Sequence, residues 1–275
     1  MSGVDVTVVI PTFRRPEQLR QAALSALAQE GASIEVVVID DSPEGSGREA
    51  AESIGDRRVV YKKRPTPSNG RPALARNDAW PHARGRYVHF LDDDDLVLPG
   101  TYQAHLAALD ATANAGIGMS FGRIDPFGTD PEAVRHEARF WNQAAARARS
   151  ASRLGRFAFV ATMLFDGAVL QNSACLVRKS LLREIGGFDP LMPLQEDTEM
   201  HARGTRVRGC VFLDRPVVRY RVSSTSLMRT GDMVSLLDES YARMQRKYRE
   251  RYGLAEFLAL KVYARSRAAI GRPFG

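Results

Sequence analysis

The sequence predicts an α/β fold: a mostly parallel central sheet flanked by helices, followed by a C-terminal helical extension. Two observations carry this. The first hundred residues alternate strand and helix signals, and the strand signals are short continuous β-branched runs rather than alternating ones, as befits strands buried on both faces. Such alternation builds parallel sheets through right-handed crossovers.

Val6–Ile10 and Ile34–Ile39 are the first two strands. Between them Pro16 stands where a first helical turn begins, Leu19, Ala22, Ala23, Ala26 and Leu27 follow at three- and four-residue spacing, and Gly31 ends the pattern. Val59–Tyr61 and Tyr87–Leu91 read as further strands, and the segment joining them is helical from about Pro72. Thr101–Thr112 reads as a helix, Gly116–Ile124 as a strand and Arg135–Arg156 as an alanine-rich basic helix. Ser173–Arg178 and Val207–Leu213 read as strands around a short helix at Leu181–Ile185, with another strand at Val217–Val222. Leu237, Tyr241, Met244 and Tyr248 share one helical face. The reading is one continuous domain over residues 1–225, divided near residue 100, and a basic helical extension over 226–275.

Length and composition exclude several classes. The chain has 275 residues, 44% apolar and 26% charged, which is ordinary for a globular protein and unlike a disordered or collagenous chain. Its longest apolar run, Phe157–Phe165, has nine residues, against roughly 20 for a bilayer span. Val6–Ile10 is too short and uncharged at its start to resemble a secretory signal, and Cys175 and Cys210 form no metal-type pair. A cytoplasmic setting is the expectation. The net charge is +7, and the stretch from Tyr241 to Gly275 holds nine Lys/Arg against two acids, so the tail carries the whole excess. That is not the distribution of a nucleic-acid binder.

In parallel sheets ligands gather at the carboxyl ends of the strands. Here those ends read Pro11-Thr12-Phe13, Asp40-Asp41-Ser42 and Asp92-Asp93-Asp94-Asp95. Four adjacent carboxylates repel one another unless exposed or neutralised. Oxygen donors suit Mg²⁺ or Mn²⁺, which take one or two carboxylates and leave other positions to water and phosphate; the bland alternative is an acidic turn before a helix near Pro99. Asp41 suits a ribose hydroxyl or a base N–H, or an Asx turn before Pro43. Arg76 suits phosphate, or solvent. Glu196-Asp197, after the turn signal Gly186-Gly187-Phe188-Asp189-Pro190, suits a general base with an acidic neighbour, or two acids at a helix N-terminus.

The order of these motifs, together with Ala75-Arg76-Asn77 and Gly85-Arg86-Tyr87, resembles the family-2 nucleotide-sugar glycosyltransferases of the GT-A, Rossmann-like fold over about residues 4–225. The resemblance implies an inverting transfer from a nucleoside-diphosphate sugar to an acceptor hydroxyl. It implies a nucleotide pocket with Pro11, Thr12, Phe13, Asp41, Arg76, Asp92 and Asp93, and a D-x-D motif in which Asp94, with Asp92, holds Mn²⁺ or Mg²⁺. It also implies Asp197 as base beside Glu196. Two departures stand out: Arg14 replaces the usual Asn, and Ser223 replaces a His that often follows Tyr-Arg. The second puts a third protein ligand to the metal in doubt.

Two rival functions fit the sequence less well. A sugar nucleotidyltransferase needs a glycine-rich, lysine-bearing loop after its first strand, and Pro11–Pro16 contains no glycine. A catalytically silent carbohydrate-binding module has no need of both acidic clusters. The acceptor, whether carbohydrate, lipid-linked or natural product, points to the second half of the domain, with Trp141, Gln171, Asn172 and Arg178 as its candidate contacts; Trp141 is either a sugar-stacking face or core. In the tail, Leu254, Phe257, Leu258 and Val262 lie near one helical face beside Arg251, Lys261, Arg265 and Arg267. That pattern fits a helix packed on the domain or on a second copy, and also a helix resting on an anionic membrane.

Overall fold

The computed structural model describes residues 3–68, 70–167, 170–222 and 233–270. The first half builds β1 (Val6–Thr12), α1 (Pro16–Leu27), β2 (Ile34–Asp40), α2 (Arg48–Glu52), β3 (Val59–Lys63), α3 (Pro72–Ala79), β4 (Tyr87–Phe90), β5 (Leu96–Val97) and α4 (Thr101–Asp110). The second half builds β6 (Met119–Phe127), α5 (Pro131–Leu154), α6 (Arg156–Phe165), β7 (Cys175–Arg178), α7 (Lys179–Ile185), α8 (Glu196–Arg208), β8 (Cys210–Arg221), α9 (Met233–Tyr252) and α10 (Leu254–Ile270).

All eight strands join one sheet in the order β3-β2-β1-β4-β7-β6-β8-β5. The β3-β2-β1-β4 portion is parallel, whereas β7 is antiparallel to both β4 and β6, and β5 to β8. The sheet is therefore mixed in its second half. β1 sits between β2 and β4, so the chain leaves it toward one edge and later returns on its other side. This reversal is where open α/β sheets bind ligands. β1 pairs with β4 only through Val9↔Phe90 but with β2 as far as Thr12↔Asp40. Pro11, which lacks an N–H, thus lies beyond the paired part of β4, where proline is tolerated, and the two strands part.

Buried Val8, Val36 and Val38 pack against α1 on one face, and Val9, Phe90, Phe121 and Val177 belong to the core on the other. α9 and α10 share that second core through Met244, Tyr248, Phe257, Leu260 and Ala264. Burying a side chain such as Leu260 is worth about 1.5–3 kcal/mol, so these helices are held to the sheet by apolar packing.

Several elements differ from the sequence reading. Val207 and Arg208 close α8 rather than opening a strand, and the two expected strands near residues 210 and 220 are one, Cys210–Arg221, pairing with β6 across an irregularity at Arg123. Pro216 supplied the apparent break. The basic helix starts earlier, at Pro131, because Asp130 accepts the N–H groups of Glu132 and Ala133 at 2.9 and 3.2 Å. The nine-residue apolar run is a helix, α6, buried along most of its length. β5 and α2 are too short to show a period.

Candidate active site

The site assembles where β1 and β4 part. Asp92–Asp95 follow β4 after Leu91, and Thr12 Oγ1 donates to Asp93 Oδ2 at 2.8 Å across the gap. Arg15, on the turn between β1 and α1, puts one guanidinium nitrogen 2.7 Å from Asp94 Oδ2 and 3.2 Å from Asp93 Oδ1. Sequence reading missed Arg15, although its position just past the carboxyl end of β1 was a signal. The residue before it, Arg14, is left-handed with φ 59°, a strained geometry for a side chain of that size.

Arg76 joins the two acidic motifs. It lies on α3, is 3% exposed, and donates from Nη2 to Asp92 Oδ1 and from Nη1 to Glu196 Oε1, each at 2.6 Å. Asn172, its amide oriented with the oxygen toward Arg76, accepts from Nε at 3.2 Å, and the Phe188 ring lies 5.3 Å from the guanidinium carbon. Phe188 is fixed in turn: its N–H donates to Asn77 Oδ1 at 3.0 Å and its carbonyl accepts from Asn77 Nδ2 at 2.8 Å. Gly187, at φ +69°, is required there, since a Cβ would stand 2.5 Å from Trp80 Nε1. That explains the Gly-Gly-Phe-Asp turn.

Glu196 and Asp197 open α8, with Gln195 held left-handed at φ 59° before them. Asp197 Oδ1 accepts the Thr198 N–H at 2.7 Å, as an acid at a helix N-terminus does. Burial, and then the charge of Glu196, raise the Asp197 pKa to about 7 against the pull of Arg76. In the other cluster, burial and the charge of Asp94 raise Asp93 to about 7, and burial with the Asp92 charge raises Asp94. Asp95, fully buried, is raised furthest, by burial and then by Asp94 and Asp92. Arg221 contributes its N–H to Asp95 at 3.0 Å and its Nε to the Asp94 carbonyl at 2.9 Å. The guanidinium groups present do not offset all this negative charge.

These residues fit a divalent ion in a specific sense. Among the described residues no three His, Cys, Asp or Glu side chains are grouped as metal ligands; Ser223 lies outside the described residues. What is present is a hard-oxygen set with surplus negative charge. It suits Mg²⁺ or Mn²⁺ held by one or two carboxylates and completed by diphosphate and water.

Asp41 serves a different task. It is 2% exposed and accepts from Arg64 Nη1 at 2.5 Å, Ser68 N–H and Oγ at 2.8 Å, and the Gly70 N–H at 2.7 Å. Burial works to raise its pKa, but Arg64, Ser68 and Gly70 together hold it below the usual carboxylate value. It anchors the loop that leads into α3, and Gly70 approaches the Phe13 ring.

The four acceptor-side residues separate. Gln171 Nε2 donates to Asp95 at 3.0 Å and Asp92 at 3.3 Å, and Asn172 touches Arg76, so both stand beside the acidic clusters. Trp141 packs edge-on against Tyr220 at 5.9 Å and lines a water-sized void with Gln171; its indole N–H and Gln171 Oε1 have no partner among the described residues. Arg178 is not brought to the site. It pairs with Tyr87 at the opposite end of β4 and donates to the Ile117 and Leu109 carbonyls at 2.7 and 2.5 Å; the antiparallel course of β7 put it there. A cavity of about 270 Å³ between α8 and α9, lined by Glu199, Arg203, Met244 and Tyr252 among others, includes none of the site carboxylates.

The chain is similar to known proteins in sequence and in fold. The chain is 34% identical over 131 residues to the succinoglycan biosynthesis protein ExoO of Rhizobium meliloti, covering 48% of this chain and 36% of that one. The fold is similar to that of S. aureus TarS in complex with UDP-GlcNAc, with TM-score 0.61 and 15% identity over 94% of this chain and 79% of that one. It is also similar to the mannosyltransferase PcManGT of Pyrobaculum calidifontis in complex with GDP-Man and Mn²⁺, with TM-score 0.58 and 17% identity over 100% of this chain and 77% of that one. The fold is thus of the GT-A type. The model of glycosyl transferase family 2 matches residues 7–186, and by that match, over well more than half its length, the chain belongs to glycosyl transferase family 2.

Proposed function

We propose that this protein is an inverting glycosyltransferase that moves a sugar from a nucleoside-diphosphate donor to an acceptor hydroxyl, with Asp197 as general base. One observation carries the reading: Arg76 ties Asp92, at the end of β4, to Glu196, at the start of α8. Acids more than a hundred residues apart thereby share one cleft, one set for the diphosphate end of the donor and one for the acceptor.

Pro11, Thr12 and Phe13 form the floor on which the nucleoside rests, and the loop pinned by Asp41 closes its side. Asp92 and Asp94 would hold Mg²⁺ or Mn²⁺, and Asp93 lies between them. When bound, the ion supplies positive charge that makes the diphosphate a better leaving group. Arg15 and Arg76 supply further positive charge beside it. Asp197 accepts the proton of the attacking hydroxyl; a pKa near 7 suits a base working at neutral pH. Displacement from the face opposite the diphosphate inverts the anomeric centre. The indole N–H of Trp141 and the carbonyl of Gln171, buried and without a partner among the described residues, are a donor and an acceptor suited to a single water in the void they line, not to a sugar ring.

The test is transfer and donor hydrolysis with UDP- and GDP-sugars in Mn²⁺, wild type against Asp197→Asn. A base of this kind contributes about 10²–10⁴-fold in rate, so the variant loses turnover and keeps its calorimetric affinity for the nucleotide. Undiminished turnover removes Asp197 from the mechanism. Wild type that neither binds nor turns over any nucleotide sugar overturns the function, leaving the silent binding module in its place.

A further inference from the structure

The outer face of α10 has an unusual composition. Its inner face is spent on the core: Phe257 packs against Phe165 with ring centres 5.4 Å apart, and Leu260 and Ala264 are buried. Outward, at intervals of one turn, stand Leu254, Leu258 and Val262, exposed by 56, 48 and 66%. Ala255 and Ala259 extend the same exposed face. Arg265 lies within this stripe, Lys261 at its edge and Arg251 at the end of α9 beside it, and none of the three forms an ion pair with an acid among the described residues. The helix has a single acid, Glu256, which is turned inward and held by Arg206 at 2.7 and 3.0 Å and by Tyr248 Oη at 2.7 Å.

We propose that this face of α10 is a docking surface for an anionic lipid bilayer, with the leucine and valine side chains entering the acyl boundary and Lys261, Arg265 and Arg251 at the headgroups. Charge decides the occupant. A stripe with apolar centre, basic flank and inward acid complements a negative surface. A second copy seated by two-fold symmetry would instead set the same cations against each other, because such an interface pairs one patch with itself. The membrane contact does not depend on glycosyl transfer, and no measurement of transfer enters its test.

The full chain is floated with vesicles of phosphatidylcholine alone and of an equimolar phosphatidylcholine–phosphatidylglycerol mixture. Wild type is expected to float only with the anionic vesicles and to be released by high salt. Lys261→Ala/Arg265→Ala weakens partition by about thirty-fold, at about fivefold per basic residue. Leu258→Glu/Val262→Glu abolishes it. Both pairs lie on the surface of a helix anchored by its other face, and unchanged melting temperatures check that the fold survives. No flotation of wild type, or equal flotation of the variants, overturns the proposal. So does a dimer in sedimentation that Leu258→Glu dissociates, which would assign the stripe to a second copy.

Discussion

Arg76→Met tests the linkage on which the cleft depends. The guanidinium is buried and lies 2.6 Å from each of two carboxylates on different elements. Removing one partner of a buried ion pair costs about 3–5 kcal/mol, because it leaves charge uncompensated. The Glu196 side chain is 13% exposed and that of Asp92 32%, so water relieves part of the load, and we expect about 3 kcal/mol, at the low end of that range. In a chain near this size each kcal/mol moves the melting temperature by about 2–4 °C, giving a fall of about 6–12 °C. The assay is thermal unfolding by circular dichroism at pH 8, beside the triple variant Arg76→Met/Asp92→Asn/Glu196→Gln. Removing the charges together restores most of the loss, because no unpaired carboxylate then remains. A single variant that melts with wild type, or a triple variant no better than the single, would refute the argument that Arg76 neutralises both acids.

Other outcomes follow from the same geometry. Transfer rate rises with pH up to about 7 and then levels, since Asp197 accepts a proton only when ionised and burial beside Glu196 raises its pKa to about 7; a rate flat from pH 5 to 8 contradicts this. A carboxyl whose folded pKa is raised favours the protonated fold, so its contribution to stability is lost as pH climbs from about 4 to 7. Asp197→Asn is therefore expected to raise the melting temperature at pH 8 and to leave it nearly unchanged at pH 4. Asp94→Asn abolishes the Mn²⁺-dependent part of nucleotide binding, read by calorimetry with and without the ion. Asp41→Ala frees the loop before α3, and proteinase K, which needs no particular side chain, then cuts between β3 and α3 faster than in wild type; equal digestion would mean that Asp41 does not anchor it.

How much of this was legible in the sequence depends on the range of the interaction involved. The parallel half of the sheet was, because Val6–Ile10 and Ile34–Ile39 are buried on both faces and their composition says so locally. So were the strand-end motifs, since the rule that ligands gather at carboxyl ends needs only strand positions. The antiparallel strand β7, the two-residue β5 and the continuity of β8 through Pro216 were not. They are defined by partners far along the chain, and no local period marks them. Asp41 could be placed at the end of β2 from the sequence, yet its bond to Arg64 could not be read from spacing.

The sequence by itself determined the fold class, the family and the acidic motifs at the strand ends, through patterns that repeat within a few positions. Tertiary structure alone decided that Arg76 bridges Asp92 and Glu196, that Arg15 faces Asp93 and Asp94, that Arg178 lies at the far end of the sheet and that Leu258 and Val262 face outward. Each of these is a contact, or a lack of one, between segments distant along the chain. Burial and neighbouring charge, which set how strongly Asp197 holds its proton, come into being only when those segments meet.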